Sequence, residues 1–517
     1  MKYFLVFFTL FFSGLFAQVD NAYNFSKYFE NGNQILTEFP NVSKQQASLL
    51  KKIYEQNFYA PIWNTRSKVV GLENWTRKAQ KIGKDISKIK TYSIKSNEIN
   101  LDLEYFKYDV QQTLNYIHLY ALFLNGSIPD SKRGKTIHLP AFKMDTFHVV
   151  MRIADSDNFS IFEEVVPRAQ KFKDLFNTTQ YYYEVVECGD WPKVNPEKDS
   201  LQFGDRDFAV RDLKKRLFLS KDYPIKIKHR SPIFDKDLAV ALKKFQERMG
   251  IDTTGILDSI TLEQINISAK ERWEQLALNV ERWLWLPKDF GSDYFFMNIP
   301  FLTLQLYHLD SVISSHRGVV GRLDRQTPIF YSTMSYIEFN PTWTIPPNIL
   351  ANDVVPASRN NLSYLTKRGI KVFDKNGYVE YGNIDWKNFR KYTFVQDPGP
   401  ANALGTVKFI FPNKYFIFFH DTPNKSHFAL TDRAYSSGCI RIENPIQLAE
   451  VLLNYSETYT PEKIDEILKS RRQTRVNLIN PPRVYITYFT ASANKNYQTT
   501  FFKDIYKLDD SLHKMLF

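Results

Sequence analysis

Two residues carry the clearest chemical signal in the chain: Cys439 and His420. They lie in the segment YFIFFHDTPNKSHFALTDRAYSSGCIRIENP, Tyr415 to Pro445. The apolar run Tyr415 to Phe419 reads as a strand that delivers His420 at its end. Cys439 follows 19 positions later, inside Ser436-Ser437-Gly438-Cys439-Ile440-Arg441. If the chain folds back, a thiol and an imidazole meet, the pair required for covalent acyl transfer. A free thiol with a pKa near ~8.5 is mostly protonated at neutral pH, and a neighbouring imidazole both lowers that value and carries the proton to a leaving amine. Gly438 lets the backbone pass close to a substrate carbonyl. The loop amides from Ser437 and Gly438 to Cys439 are then candidates for an oxyanion hole.

The neighbouring polar and aromatic residues each have two readings. Arg441 has a planar fork that suits a substrate carboxylate and equally suits a buried salt bridge bracing the loop. Asp421 either orients His420 or accepts a hydrogen bond in a turn, the turn being favoured. Phe418 stands two residues before His420 and so on the same strand face, where it lines a substrate pocket or joins the core; the same choice applies to Trp343. His427, His308 and His316 sit in no motif and read as surface or loop residues. Cys188 is the other cysteine. Either it bridges Cys439 as a structural disulfide, or at least one of the two is a free thiol. No HExxH, CxxC or glycine-rich phosphate loop is present, so neither a metal nor a cofactor is expected.

The elements that must position these residues begin with Met1-Lys2, an apolar run from Tyr3 to Phe12, and Ser13-Gly14-Leu15-Phe16-Ala17. This is the layout of a secretory signal, residues 1–17, with cleavage after Ala17; the run is shorter than the ~20 apolar residues of a spanning helix. An exported, periplasmic or envelope protein is expected, without a transmembrane segment once the signal is removed. The 517 residues are 43% hydrophobic and 24% charged, the balance of a globular chain of two to four domains. The net charge of +12 would draw any polyanion. Export directs that expectation away from nucleic acid and toward acidic peptides, anionic envelope polymers or lipid head groups.

Helical spacing at Leu49 and Ile53, and at Leu114, Ile117, Ala121 and Leu124, marks 18–200 as a helical scaffold. It ends in a polar linker after Gly189-Asp190-Trp191-Pro192. Residues 201–268 carry three short amphipathic helices: Val210, Leu213 and Leu217; then Phe234, Leu238, Leu242, Phe245 and Met249; then Leu262 and Ile265. Gly250 is a helix stop, and Asp258 or Ser259 a cap. A connecting helix occupies 269–292. Residues 293–480 turn to β, with strands expected at Tyr294 to Ile299, Leu302 to Leu306, Val312 to Val320 and Phe409 to Phe419. A proline-rich excursion at about 341–400 is long enough to be a functional lid. Residues 481–517 form a C-terminal extension. The fold class is α+β and multidomain.

The His420, Ser436, Gly438, Cys439 and Arg441 pattern resembles the catalytic motif of L,D-transpeptidases, with Ser437 where many members have a second histidine. The segments NVERWLWLP (279–287), NIP (298–300), VVGRLDRQTPIF (319–330), NPTWTIPPNI (340–349), QDPGPANALGTVKFIFPN (396–413) and HDTP (420–423) are similar to the large periplasmic members from Gram-negative bacteria. FDKDLAVALKKFQERMGIDTTGILDSITLEQI (234–265) resembles a peptidoglycan-binding module. The resemblance implies that Cys439 attacks the bond between the diamino acid and the terminal D-alanine of a donor tetrapeptide stem. The resulting thioester is resolved by the amine of a second stem, with glycan strands as a further partner. Alternatives are resolution by water (an L,D-carboxypeptidase), resolution by a protein lysine (an anchoring transferase), or a silent wall-binding scaffold.

Overall fold

The computed structural model describes residues 24–30, 34–94, 100–224, 231–454 and 456–517. The expected signal lies outside them. No helix among the described residues is long and apolar enough to cross a membrane.

The first region is helical. Ser43 and Gln46 form a reciprocal capping box that starts the helix Lys44–Gln56, and Thr65 caps Arg66–Lys81. The long helix Leu101–Asn125 is apolar on most of its surface and is surrounded by aromatic side chains, among them Tyr54, Trp63 and Phe162. Within this packing Asp109 accepts from Tyr54 Oη at 2.5 Å, Ile62 N at 3.0 Å and Trp63 N at 2.7 Å. Burial nevertheless pushes its carboxyl up to about 6.

The next region, Ala209–Leu219, Lys236–Met249 and Ser259–Asn266, has a hydrophobic core of its own, centred on Val210, Leu213, Leu217, Leu242 and Phe245. Asp235 and Asp258 cap the second and third helices, and Gly250 ends the second in a left-handed conformation at φ +68°. The buried Arg216 guanidinium lies 3.3 Å from the centre of the Trp191 ring and donates to Ile265 O, docking this module on the linker before it.

The connecting helix Ala269–Leu284 starts at a Ser268–Glu271 capping box and is buried along its second half. Its Glu281 pairs with Lys84 Nζ, and both side chains are fully buried. The carboxylate also accepts from Ser127 N at 3.0 Å, Ile128 N at 2.9 Å and Trp285 Nε1 at 3.1 Å. A buried charge is tolerated only when satisfied in this way, and the cluster fixes the helical region to the helix. The helical region and the β domain consequently share one continuous core.

The β domain is built from β1 (Asp293–Asn298), β2 (Thr303–His308), β3 (Ser311–Gly321), β4 (Phe330–Thr333), β5 (Tyr336–Phe339), β6 (Trp343–Thr344), β7 (Ile370–Asp374), β8 (Gly377–Tyr378), β9 (Thr393–Gln396), β10 (Val407–Ile410), β11 (Phe419–His420), β12 (Ala434–Ser436), β13 (Ile440–Ile442), β14 (Thr474–Asn477) and β15 (Arg483–Thr487). An 11-stranded sheet runs β14-β5-β10-β11-β13-β3-β2-β1-β15-β4, with β12 beside β3. The segment 481–517, set apart by sequence as an extension, is woven into this sheet: β15 pairs parallel to β1 and antiparallel to β4.

The expected strand Phe409 to Phe419 is broken into two. Asn413 folds the interruption, its Nδ2 donating to Phe411 O and Ile417 O while its Oδ1 accepts from Tyr415 N and Ile417 N. Phe416 takes a left-handed φ of +57°. The excursion at 341–400 is a small subdomain, with a four-stranded sheet β6-β9-β7-β8 and a separate core of Ile345, Leu350, Leu365, Val372 and Phe394.

Candidate active site

β11 and β13 run parallel, with Phe419 opposite Ile440 and His420 opposite Arg441. Phe419 and Ile440 are fully buried in the core. By alternation, Phe418, His420, Cys439 and Arg441 share the opposite face. Cys439 and His420 are diagonal neighbours on it, about 8 Å apart at Cα from strand spacing and rise. The Phe418 ring lies edge-on to the His420 ring at 5.6 Å.

The imidazole orientation is fixed by main chain. His420 Nδ1 lies 2.5 Å from Asp421 O, and because a carbonyl can only accept, Nδ1 carries the proton and Nε2 keeps its lone pair. Asp421 thus orients His420 through its carbonyl, while its carboxylate braces the turn by accepting from Thr406 N at 2.9 Å and Thr406 Oγ1 at 3.0 Å. Lys425 Nζ pairs with the other oxygen. Gly405 makes room for this, since a Cβ there would stand 2.3 Å from the Asp421 carboxylate.

The loop that carries Cys439 is held at several points. Ser436 Oγ donates to Cys439 O at 2.5 Å and accepts from Gly438 N at 3.1 Å. Thr327 Oγ1 donates to Gly438 O at 2.7 Å and accepts from Gly321 N at 2.9 Å. Thr327 N in turn donates to Tyr506 Oη at 3.1 Å, and that hydroxyl donates to Gly321 O at 2.7 Å. Gly438 has φ +118°, a conformation that side chains disfavour, although the space beside it is open enough for a Cβ. Its amide is already committed to Ser436. Among the described residues the N–H groups of Ser437 and Cys439 have no protein acceptor, which leaves these two as the loop donors available to an oxyanion.

Burial pushes the Cys439 thiol up to about 11, against smaller opposing effects of the Phe418 amide and Arg441. Burial, assisted by the Arg441 charge, pushes the His420 imidazole down to about 3. Both groups are neutral at pH 7. The sulfur lies 3.6 Å from Phe416 O, and neither cysteine is in a disulfide.

Arg441 has no carboxylate partner among the described residues. Its Nε is buried without an acceptor, its Nη1 is 3.4 Å from His427 Nδ1, and burial lowers its pKa. His427, read from sequence as a surface or loop residue, therefore belongs to the site, and its ring lies 5.3 Å from Tyr435. His316 is likewise not at the surface: it is buried between Ser314 Oγ and Glu443 O. His308 pairs with Asp293 on β1.

Beside the loop opens a cleft of about 770 Å³, lined by Ser437, Gly438, Tyr415 and Ile417 on one wall and by Asn348, Ile349 and Asn352 of the inserted subdomain on the other, with Asp324, Arg325 and Gln326 between. Arg325 makes a two-pronged pair with Asp353 and donates to Ser437 Oγ. Asp353 stands in a π-type turn, Leu350–Val354. Trp343 is not among the cleft residues; it packs on the inserted subdomain's own core. Among the described residues no group of acidic, histidine or cysteine side chains is placed to hold a metal.

Residues 292–476 match the L,D-transpeptidase catalytic domain, 207–265 a peptidoglycan binding domain, and 48–178 a scaffold domain. The chain is 33% identical over 234 residues to a Haemophilus influenzae protein named for L,D-transpeptidase activity, a match that covers 45% of this chain and 46% of the relative. The chain thus spans about half the length of that relative. A crystal structure of a fused zinc-dependent amidase/peptidase/peptidoglycan-binding domain-containing protein from Clostridium acetobutylicum covers 56% of this chain and all of that one, at 11% identity and a TM-score of 0.15.

Proposed function

We propose that the chain cross-links wall peptides in the cell envelope through a thioester on Cys439, a reading supported by the match of residues 292–476 to the L,D-transpeptidase catalytic domain and of 207–265 to a peptidoglycan binding domain. The observation that carries the reading is the shared face of β11 and β13, with His420 Nδ1 locked to Asp421 O and Nε2 left free as a base.

As a donor tetrapeptide enters, His420 Nε2 takes the thiol proton while the sulfur attacks the carbonyl before the terminal D-alanine. The negative oxygen is met by the N–H groups of Ser437 and Cys439. Collapse of the tetrahedral species breaks the C–N bond, and His420 returns the proton to the departing D-alanine amine. The amine of a second stem then attacks the thioester, gives a proton to His420 and restores the thiol. Arg441, lacking an acid of its own, is suited to a carboxylate of the donor stem.

The test is mass spectrometry of fragments after incubation with muropeptides bearing tetrapeptide stems. Cross-linked dimer plus free D-alanine is expected with the native chain, and neither with Cys439→Ser or His420→Ala. Tripeptide without dimer would replace the reading by hydrolysis.

A further inference from the structure

We propose that the helical region carries a binding groove of its own for the carboxylate-bearing peptides of the wall, separate from the catalytic cleft and from the module at 207–265. The choice of ligand rests on the wall-peptide function proposed above; the groove itself rests on the following geometry. Along the helix Arg66–Lys81, Gly71, Asn74, Lys78 and Lys81 recur at spacings of three, four and three, which places them on one stripe. That stripe faces a groove of about 440 Å³, closed on the far side by Phe159 and by Gln180 of the helix Gln170–Glu187. A seam between packed helices is ordinarily filled with apolar side chains. Here it is open and lined by amides and cations.

Two details shape it for a ligand. Gly71 is a costly residue inside a helix, and a Cβ there would stand 2.3 Å from the Phe159 ring; its absence lets that ring lie against the helix backbone as one wall of the groove. The cations are incompletely neutralised. Lys81 pairs with Glu184 at 2.6 Å, but among the described residues Arg77 and Lys78 have no carboxylate partner, and Lys78 Nζ rests 3.9 Å from the centre of the Trp75 ring. An aromatic floor, two unpaired cations and the amides of Asn74 and Gln180 suit a ligand with a flat or apolar body, amide groups and free carboxylates. A stem peptide has those features; an uncharged sugar lacks the carboxylates.

The experiment uses the full chain with Cys439→Ala, so that the ligand is not consumed, and calorimetric titration with a soluble disaccharide tetrapeptide. Two further titrants are the same compound with its carboxylates amidated and the disaccharide alone. A binding event that weakens at least tenfold in Arg77→Ser/Lys78→Ser, and at least tenfold on amidation, is expected. Equal affinity in the double variant, or for the amidated peptide or the bare disaccharide, would overturn the proposal. Both residues are on the surface of the helix, and thermal melting checks that the variant stays folded. Turnover of a soluble donor by the chain with Cys439 intact is measured separately. Binding without turnover would remove the proposed reaction and leave the groove, whereas turnover without binding would do the reverse.

Discussion

Arg325 grips Asp353 of the inserted subdomain at 2.5 and 2.9 Å while donating to Ser437 Oγ, two residues from the nucleophile, at 3.1 Å. One side chain therefore spans the cleft and ties the position of the inserted subdomain to the position of the Cys439 loop. The neighbouring Arg322 reaches the same carboxylate only at 4.0 Å and is occupied by Asp324.

This clasp is partly exposed, so its contribution to stability is small, about 1 kcal/mol or less. Its effect is expected on turnover. Asp353→Asn should lower kcat/KM for a soluble donor by roughly tenfold, about 1.4 kcal/mol of transition-state stabilisation, with a nearly unchanged melting temperature. Arg325→Lys, which cannot make the two-pronged pair, should behave similarly. Wild-type kinetics in both variants would show that the clasp is only a surface ion pair.

Thr327 is fully buried and satisfies two main-chain groups, Gly438 O and Gly321 N. Thr327→Val keeps the shape and leaves both unpaired, at a cost of about 1–3 kcal/mol per group. Denaturant unfolding should show a loss of that order, and acylation of Cys439 by a thiol-reactive donor should slow as the loop loosens. Thr327→Ser, which retains the hydroxyl, should restore most of both. A Val variant with full activity would separate the Gly438 carbonyl from loop geometry.

The resting thiol and imidazole set a pH signature. With Cys439 held up to about 11 by burial, alkylation by iodoacetamide should rise about tenfold per pH unit from 7 to 10, read in a Cys188→Ser background because Cys188 is exposed and free. A plateau below pH 8 would mean a preformed thiolate–imidazolium pair. Stability has matching signs. His420 takes its proton near 6.5 when unfolded and near 3 when folded, so the unfolded chain binds more protons in that window and stability falls as pH drops through it. For Cys439, raised from 9.0 to about 11, the contribution is present below 9 and lost as pH rises through 11.

Trp343 was expected from sequence either to cover the donor or to sit in the core of the excursion. β6 pairs it with Gln396 of β9, and its ring packs on the core of the inserted subdomain. Trp343→Ala should destabilise that subdomain by about 3 kcal/mol, seen as faster proteolytic cleavage within 341–400. The ratio of dimer to hydrolysed tripeptide, measured at a temperature where the variant stays folded, should be unchanged; a shift toward tripeptide would put Trp343 at the substrate pocket instead.

The proposed catalytic pair stands out in sequence because its signal is local: a strand-ending histidine, a glycine at the bend and a cysteine after it. The three-helix module was legible for the same reason, through periodic apolar residues with Asp caps and Gly250. What escaped depends on distance along the chain. Thr327 and Tyr506 brace Gly438 from 111 and 68 positions away, with no motif to announce them. His427 reaches Arg441 from a short 3-10 turn, Lys425–Ala429, that lies against β3, where Arg317 Nη1 donates to Phe428 O. The strand expected at Phe409 to Phe419 failed at Asn413, whose side chain replaces ladder hydrogen bonds with turn bonds. A sequence reading sees the apolar run and not that competition.

The placement of β15 between β1 and β4 gives the polypeptide a built-in order of events during synthesis. Even the helical region is completed late, since Lys84 has its partner only at Glu281 and Tyr182 its partner only at Thr499. β1 has its parallel neighbour only when residues 483–487 have been made, some 190 positions later, and Thr327 has its tyrosine brace only at Tyr506. A chain that already contains both Cys439 and His420 is therefore still without β15 in its sheet and without the tyrosine that braces Thr327. Pairings of such long separation are slow to form, so the reactive thiol is the part of this protein that matures last.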